Sequence, residues 1–449
     1  MLRLTADIDP SWDAALLEAA GLEGSRARRV LLFLEDREDL RIEVSPEGVQ
    51  ESVQSRLRGL SVRGGPGGCF EAAIADPSPS DALPLAEAAA AGAAPRWSAK
   101  GQKADAGSRI DPRAALVNLE RLVRVAERAV GRKGSLITAR WIAFRQGVRV
   151  AGPGRDIAAD LRMGCRVRLD VRVSGRGTEG KAVGERVLRT GPVKGLESLA
   201  AAVVQRAFAR LDAREAPRGK FPIAFAPGVG GILIHELVGH ALEADTVRRG
   251  ASALAAAADP IATKQVLIVD DPRRGRAAWR LDDEGEEAMA TTLVRDGKRA
   301  GLIHDQRSAE AAAASPNGHG RRSSFQEPVR PRMGCTFLAA GTLDAAEVLE
   351  GIPRGVYIHR MEAASVDTAT GEATFRVTDA DLVQRGQLDR PLKPFVLAVA
   401  TREALSTLDR IASDLAFDTC IGSCLRDGQP LATSVGAPTF RTGLTTVIP

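Results

Sequence analysis

The sequence predicts a protein of the α+β class, with amphipathic helices and antiparallel strands in one chain. Between Arg166 and Val173, apolar residues alternate strictly with charged ones, which predicts a half-exposed antiparallel strand. A stretch that opens at Asp111-Pro112 carries apolar residues at helical spacing. Leu293 to Ile303 has the pattern of a hairpin that turns at Asp296-Gly297.

The elements of the N-terminal half follow from local patterns. Residues 29–62 are expected to form strands around a turn at Ser45-Pro46-Glu47-Gly48. An Ala-rich helix is expected near 80–92, followed by a loose polar connection at 95–108. Asp111 and Pro112 then provide a helix N-cap and first position. The predicted apolar face of that helix consists of Leu116, Leu119, Val123, Ala126 and Val130.

A strand pattern begins at Leu136, and a second amphipathic helix precedes the middle of the chain. Its apolar side is Leu196, Leu199, Val203, Ala207 and Leu211. The helix leads through a Pro/Gly break to Phe221, which places a domain boundary near residue 218. We therefore predict an N-terminal α/β domain of residues 1–218 and a β-rich C-terminal domain of residues 219–449.

Composition restricts the class of protein. The chain has 449 residues, of which 44% are hydrophobic and 27% charged, as in globular proteins. Its net charge is +5, but the arginines occur singly rather than in blocks, which argues against nucleic-acid binding. The cysteine count, five, is odd and argues against a secreted disulfide framework. The N-terminal stretch carries acids where a signal peptide needs apolar residues, so we expect a soluble, cytoplasmic protein without membrane contact.

The segment from Ala226 to Glu243 contains residues that are suited to metal binding and catalysis. It contains two of the five histidines, His235 and His240, on either side of Glu236. Neutral imidazoles are good zinc ligands, and a carboxylate beside the first can act as a general base without occupying the metal. The pattern is typical of a hydrolytic zinc site.

The spacing of the two histidines requires a distorted helix. On a regular helix, residues five apart point about 140° away from each other, so both could not bind one ion. A π-bulge or a helix end between Leu237 and His240 would bring the rings together. Gly239 is expected to supply the backbone freedom for that distortion.

Two questions stay open at the level of the residues. The histidines could be unrelated, each satisfied by its own partner on a buried helix. If they do bind zinc, a third ligand must come from elsewhere in the chain. The candidates are His304, His319, His359, Glu243 and the cysteines Cys69, Cys165, Cys335, Cys420 and Cys424.

Residues 221–250, with the run HELVGHALEAD, resemble the signature of the TldD/PmbA family of peptidases. Further blocks are similar to those of the family and come in the same order, so that the resemblance covers roughly residues 136–446. These blocks are Asp282 to Gly285, Gly318 to Arg322, Pro331 to Met333 and Gly422 to Gln429.

The resemblance implies the complete site. In TldD-type members the two motif histidines and a cysteine of the near-C-terminal block hold zinc, which implies His235, His240 and Cys424 as ligands. It also implies Zn2+ as cofactor and Glu236 as catalytic base. Cys420 is the alternative third ligand, and the match of the block from Gly422 to Gln429 favours Cys424.

The resemblance also implies architecture and function. An N-terminal half of helices with a mixed sheet would precede a larger antiparallel-β part that carries the metal helix. The protein would be a zinc-dependent peptidase acting on flexible or unfolded peptides bound along a sheet edge. A related subunit without the HExxxH motif would be its partner in a heterodimer, or it would form a homodimer. The competing interpretation is a non-catalytic regulatory or structural subunit, against which the intact motif residues speak.

Two features have no assigned role. Glu243 could orient a ligand histidine or could be a surface acid. The segment from Gly318 to Arg322 could line the cleft or form a solvated loop. The N-terminal half departs from the family pattern, so the sequence does not predict the substrate.

Overall fold

A computed structural model describes residues 11–21, 30–64, 70–91, 110–131, 135–153, 156–175, 177–188, 194–417 and 423–449. The helices are α1 (Ser11–Ala20), α2 (Ala82–Ala90), α3 (Pro112–Val130), α4 (Leu196–Ala209), α5 (Gly231–Ile234), α6 (Ala244–Arg248), α7 (Ala253–Ala256), α8 (Gln306–Ala311), α9 (Ala345–Leu349) and α10 (Thr401–Ser406). The first strands are β1 (Leu31–Ser45), β2 (Gly48–Gly64), β3 (Phe70–Ala75), β4 (Leu136–Ala151), β5 (Ala158–Gly175) and β6 (Thr178–Leu188).

The remaining strands all follow residue 218. They are β7 (Gly219–Phe225), β8 (Ile268–Asp270), β9 (Thr291–Arg295), β10 (Lys298–Arg299), β11 (Gly320–Arg321), β12 (Arg330–Pro331), β13 (Cys335–Leu338), β14 (Arg354–Asp367), β15 (Glu372–Gln384), β16 (Gln387–Leu392), β17 (Phe395–Ala400), β18 (Arg410–Ile411), β19 (Ala416–Phe417), β20 (Ser423–Arg426), β21 (Gln429–Ala432), β22 (Ser434–Ala437) and β23 (Phe440–Ile448). The predicted α+β class is confirmed.

The N-terminal half is built on one six-stranded sheet in the order β3-β2-β1-β4-β5-β6. Every pairing in this sheet is antiparallel, so the expected mixed sheet is wrong for this half. Long neighbouring strands joined by short turns, such as the predicted turn between β1 and β2, need no parallel crossover. The predicted loose connection at 95–108 lies outside the described residues.

The helices of this half pack where their apolar faces predict. Asp111 accepts a hydrogen bond from the backbone N–H of Arg113 and caps α3, as expected. Leu119 and Val123 of α3 share one core with Val167 and Leu169 of β5, which are fully buried. The apolar side of α4 completes this core. The strict alternation in β5 therefore separates a core face from a charged face, as predicted.

The C-terminal half contains the mixed sheets. In the first, β7, β23, β17 and β15 pair antiparallel, while β14 pairs with both β15 and β7 and so closes a ring of five strands. The β7–β14 pairing is parallel. The second sheet has the order β10-β9-β8-β13-β22-β19, with a parallel β13–β22 pair. Asp296 and Gly297 both adopt positive φ between β9 and β10, as the predicted hairpin requires.

The metal-motif segment lies in the core shared by these two sheets. Leu233, Ile234, Leu237 and Val238 are buried in one cluster with apolar residues of β7, β8, β14 and β15. This packing holds the segment between the two sheets. The division into two domains near residue 218 stays a prediction. Among the described helices, none is both long and apolar enough to cross a membrane.

Buried ion pairs join the two halves. Arg162 on β5 donates to Asp283 at 2.5 Å, and Arg63 on β2 contacts Glu284 at 2.5 Å. All of these side chains except Arg63 are at most 1% exposed. The N-terminal sheet is therefore attached to the C-terminal half through buried ion pairs. Separating them would leave uncompensated buried charges, which is strongly destabilising.

Candidate metal centre

The segment that carries the two motif histidines changes its helical type at the first of them. The α5 helix ends at Ile234 and continues as a π turn over His235–Gly239 and a 3₁₀ turn over His240–Leu242. The backbone N–H of His240 donates to the carbonyl of His235, which is the hydrogen bond of a π turn. The imidazole centroids consequently lie 5.0 Å apart. The predicted widening of the turn is confirmed.

Gly239 serves this turn for a different reason than expected. Its φ of −57° and ψ of −60° are ordinary helical values that any residue can adopt. A Cβ at this position would instead lie only 1.8 Å from the Sδ atom of buried Met333. The expectation of special backbone freedom is wrong, since the position requires glycine for space.

Gly239→Ala should therefore destabilise the protein by about 1–3 kcal/mol, as overpacking of a tight core does, and should weaken metal binding. Met333 must move, and the π turn moves with it. Chemical denaturation and zinc titration measure the two effects. Adding Met333→Ala to the same chain makes room for the new methyl group and should recover most of the zinc affinity. Equal zinc affinity in Gly239→Ala and the wild-type protein would contradict this role.

The third donor comes from the C-terminal hairpin of β20 and β21. Cys424 pairs with Leu431 in this hairpin, and its Sγ lies 3.2 Å from Nε2 of His240. Donor atoms of His235, His240 and Cys424 all lie within 4.8 Å of one another. Two imidazoles and a thiolate at this separation fit a tetrahedral zinc ion, whose bonds to nitrogen and sulfur are about 2.0–2.3 Å long. Cys420 lies outside the described residues.

In the metal-free chain the Cys424 thiolate and the protons of the two histidines stabilise one another. Burial alone would raise the pKa of the Cys424 thiol, but His240 and His235 hold that pKa well below its ordinary value. Burial would lower the pKa of His240, but Cys424 and Glu243 raise it well above the ordinary value. The Nδ1 atom of His235 is buried and has no hydrogen-bond partner among the described residues. A metal cation that replaces the protons of these donors would therefore stabilise the folded site.

Glu243 orients the second histidine. Its carboxylate is fully buried, so the surface-acid alternative is wrong. Oε2 of Glu243 lies 3.1 Å from Nδ1 of His240 and 2.7 Å from Nη1 of Arg426. Arg426 is fixed in turn by Asp245 at 2.8 Å. This series of contacts, from Asp245 through Arg426 and Glu243 to His240, directs Nε2 of His240 toward Cys424. Carboxylate–histidine pairs act in the same way in metal sites.

The other candidate ligands are engaged elsewhere. Cys165 lies on β5 with its pKa raised to about 12 by burial, and Cys335 is buried in β13. Cys69 lies outside the described residues. Each remaining histidine hydrogen-bonds away from the centre: His304 to Ser308, His319 to Asp270 and His359 to Asp381.

Two of the family-like blocks carry buried arginines that do not line the cleft. Arg332 is fully buried and donates to the backbone carbonyls of Cys424 and Gln429, which fixes the β20–β21 hairpin. Arg321 and Arg322 of the segment 318–322 are also buried, and Arg321 pairs with Asp283. The segment is therefore neither a solvated loop nor a wall of the cleft. It belongs to the ion-pair network that attaches the N-terminal sheet.

A cleft of about 290 Å³ opens beside the three donors. Glu236 lines it, is 18% exposed and has its Oε2 3.8 Å from Nε2 of His240. The other charged residues that line this cleft are not predicted from the sequence; they are Arg166, Arg168, Arg360 and Glu362. The charged positions of β5 were visible in the sequence, but nothing in the sequence shows what that face of the strand meets.

Comparison with known proteins gives a consistent result. The PmbA/TldA metallopeptidase C-terminal domain matches residues 218–448. The chain is 30% identical over 241 residues to a metalloprotease TldD homologue of Haemophilus influenzae, covering 53% of this chain and 50% of that protein. It is 33% identical over 248 residues to a metalloprotease of Methanothermobacter thermautotrophicus, covering 55% and 54%. The chain thus matches about half the length of these relatives.

The fold itself is similar over nearly the whole chain to a solved structure. TldE from Thermococcus kodakarensis superposes with a TM-score of 0.73, covering 94% of this chain and 96% of that chain. The sequence identity is 14%, so this likeness concerns the fold alone.

Proposed function

The chain belongs to the TldD/PmbA family, and from that premise we propose that it is a zinc-dependent peptidase that hydrolyses flexible or unfolded peptides. The observation that carries the proposal is the convergence of His235, His240 and Cys424 beside Glu236 in an open cleft. Hydrolysis of an unstructured peptide by the zinc-loaded chain, lost on chelation and restored by zinc, is the corresponding assay.

His235, His240 and Cys424 would hold the metal, with His240 using Nε2 because Glu243 engages its Nδ1. Bound zinc would supply Lewis acidity, which lowers the pKa of a water molecule and polarises a carbonyl group. Glu236 takes a proton from the attacking water and delivers it to the leaving amine. Its position in the cleft suits this role, because its carboxylate faces the donor cluster without a competing hydrogen bond among those described.

The cleft also offers a sheet edge for the substrate. β14 pairs with β15 along its length, but with β7 only from Val356 to Ile358. Beyond Ile358, the other edge of β14 pairs with no strand in the part of the chain that the structure describes. Met361 and Ala363 on this stretch line the cleft. A peptide that adds here would bind through its backbone, which favours extended, unfolded substrates of varied sequence.

We place the activity in a reducing compartment such as the cytoplasm, because the site needs Cys424 as a free thiolate. A secreted form would expose this low-pKa thiol to oxidation when the metal is absent.

Full activity is expected to need a second, related subunit that lacks the HExxxH motif. In this arrangement the partner completes or stabilises the cleft, and hydrolysis of an unstructured peptide should rise at least about tenfold when both chains are mixed. Peptide hydrolysis by each chain alone and by the mixture, with size-exclusion chromatography, measures this. Full hydrolysis by the single chain would contradict the need for a different subunit. A zinc-loaded chain that cleaves nothing in either form would favour the non-catalytic alternative.

A further inference from the structure

The charged face of β5 forms a wall of the cleft. Arg166 and Arg168 point away from the core of the N-terminal sheet, as their alternation with buried residues predicts. In the folded chain they face Arg360 of β14 rather than open solvent, and all three line the cavity that contains His235 and Glu236. Their side chains are 16%, 23% and 9% exposed. The N-terminal half therefore contributes directly to the site.

These three arginines surround a single buried carboxylate. Glu185 is fully buried as a side chain and lies 3.3 Å from Arg166, 3.5 Å from Arg168 and 3.2 Å from Arg360. Arg168 also contacts Asp170, which it shares with Arg140.

Among the described residues that line the cleft, three arginines stand against two acids, Glu236 and Glu362. Behind these side chains, Arg140 pairs with Glu43 in addition to Asp170, so that four guanidinium groups and three carboxylates are connected among the described ion pairs. Burial lowers the pKa of Arg166, and repulsion from Arg168 and Arg360 lowers it further despite Glu185. An additional anion on this wall would be stabilised.

The positive wall lies close to the candidate centre. Arg166, Arg168 and Arg360 line the same cavity of about 290 Å³ as His235 and Glu236. A substrate group on this wall is therefore within a few residues of the bond that is hydrolysed, since an extended chain advances about 3.3–3.6 Å per residue. Arginine recognises carboxylates in particular, because its planar donors match their two oxygens.

We propose that Arg166, Arg168 and Arg360 bind a carboxylate of the peptide substrate, so that the cleft selects peptides with an acidic group near the cleaved bond. This inference rests on the proposed peptidase function. The carboxylate belongs to an Asp or Glu side chain or to the C-terminus of the peptide. Glu362, an exposed acid lining the same cleft, disfavours such peptides and sets a limit on the preference.

Two sets of fluorogenic peptides test the proposal on the full, zinc-loaded chain, assayed with its partner subunit if one is required. One set has Glu, Gln or Lys at each of the three positions on either side of the cleaved bond. The other has a free or an amidated C-terminus. At one or more positions, kcat/KM should be about tenfold higher for the Glu peptide than for the Gln peptide, or it should be about tenfold higher for the free C-terminus than for the amidated one. This factor is the low end of what a charge-assisted hydrogen bond provides.

Arg166→Gln and Arg168→Gln should each remove most of this preference while hydrolysis of the neutral peptides persists. Arg172→Gln is the matched control, because Arg172 lies on the same face of β5 and does not line the cleft. It should keep the wild-type preference. Glu362→Gln should increase the preference. Equal kcat/KM for Glu, Gln and both terminal forms, or a preference unchanged in both arginine variants, would overturn the proposal.

Binding distinguishes this inference from the peptidase function. Fluorescence anisotropy with the same peptides on zinc-loaded Glu236→Gln reports carboxylate selection without hydrolysis. If the wild-type chain cleaves nothing but binds the Glu peptide about tenfold more tightly than the Gln peptide, the peptidase proposal fails and the carboxylate site stands. Equal binding of both peptides would refute the carboxylate site in that case.

Discussion

Replacing His235, His240 or Cys424 by alanine should reduce bound zinc to a small fraction of that in the wild-type chain. Two donors do not make a stable zinc site, and each variant leaves two. The loss of affinity should exceed the roughly 10–100-fold typical when only an orienting partner of a ligand is removed. Metal analysis after gel filtration, with circular dichroism to confirm folding, measures it.

Two other cysteines provide the controls. Cys335→Ala removes an equally buried thiol that lies in β13 rather than at the centre, and should retain zinc. Cys420→Ala should also leave bound zinc nearly unchanged, because the third ligand is assigned to Cys424. Retention of full zinc by Cys424→Ala would show that Cys424 is not the third ligand. Loss of zinc in Cys420→Ala would identify Cys420 as the third ligand instead.

Glu236→Gln should lower peptide hydrolysis by roughly 10²–10⁴-fold while folding and zinc content persist. The amide keeps the size and hydrogen-bonding shape of the carboxylate but cannot accept the proton. Glu236 lines the cleft and faces Nε2 of His240 at 3.8 Å, close to the donors without being one of the three that converge. Zinc content and turnover measured on one preparation should therefore separate.

Glu215→Gln removes the same charge at an exposed position and should leave both observables unchanged. If Glu236→Gln lost zinc together with activity, Glu236 would be a ligand. If Glu236→Gln hydrolysed peptides at a near-normal rate, the base would lie elsewhere.

The local structure of the site could be predicted from the sequence because it is dictated by local geometry. The five-residue spacing of His235 and His240 cannot place both rings together on a regular helix, and the π turn follows. The alternation in β5 and the cap of α3 were equally local and were confirmed. Cys424, by contrast, is 184 residues from His240 in the chain, and only the family resemblance pointed to it.

What could not be predicted depends on how distant parts of the chain meet. The alternation in β5 identifies the residues that point away from the core. It does not show that β14 lies on that side of the strand. The pattern consequently predicts only a half-exposed strand for Arg166 and Arg168. Arg321 and Arg322 looked accessible because their sequence surroundings are polar, and they are buried against Asp283 instead. The sequence favours backbone freedom as the role of Gly239, because nothing local reveals that Met333 occupies the space of its missing side chain.

The metal content of the purified wild-type chain tests the central claim most directly. The chain, purified under reducing conditions and freed of loosely bound ions, should contain about one equivalent of zinc, as expected for one site of three protein donors. It should take up the same amount again after chelation and dialysis against zinc. A folded chain that neither contains zinc nor regains it would contradict the account.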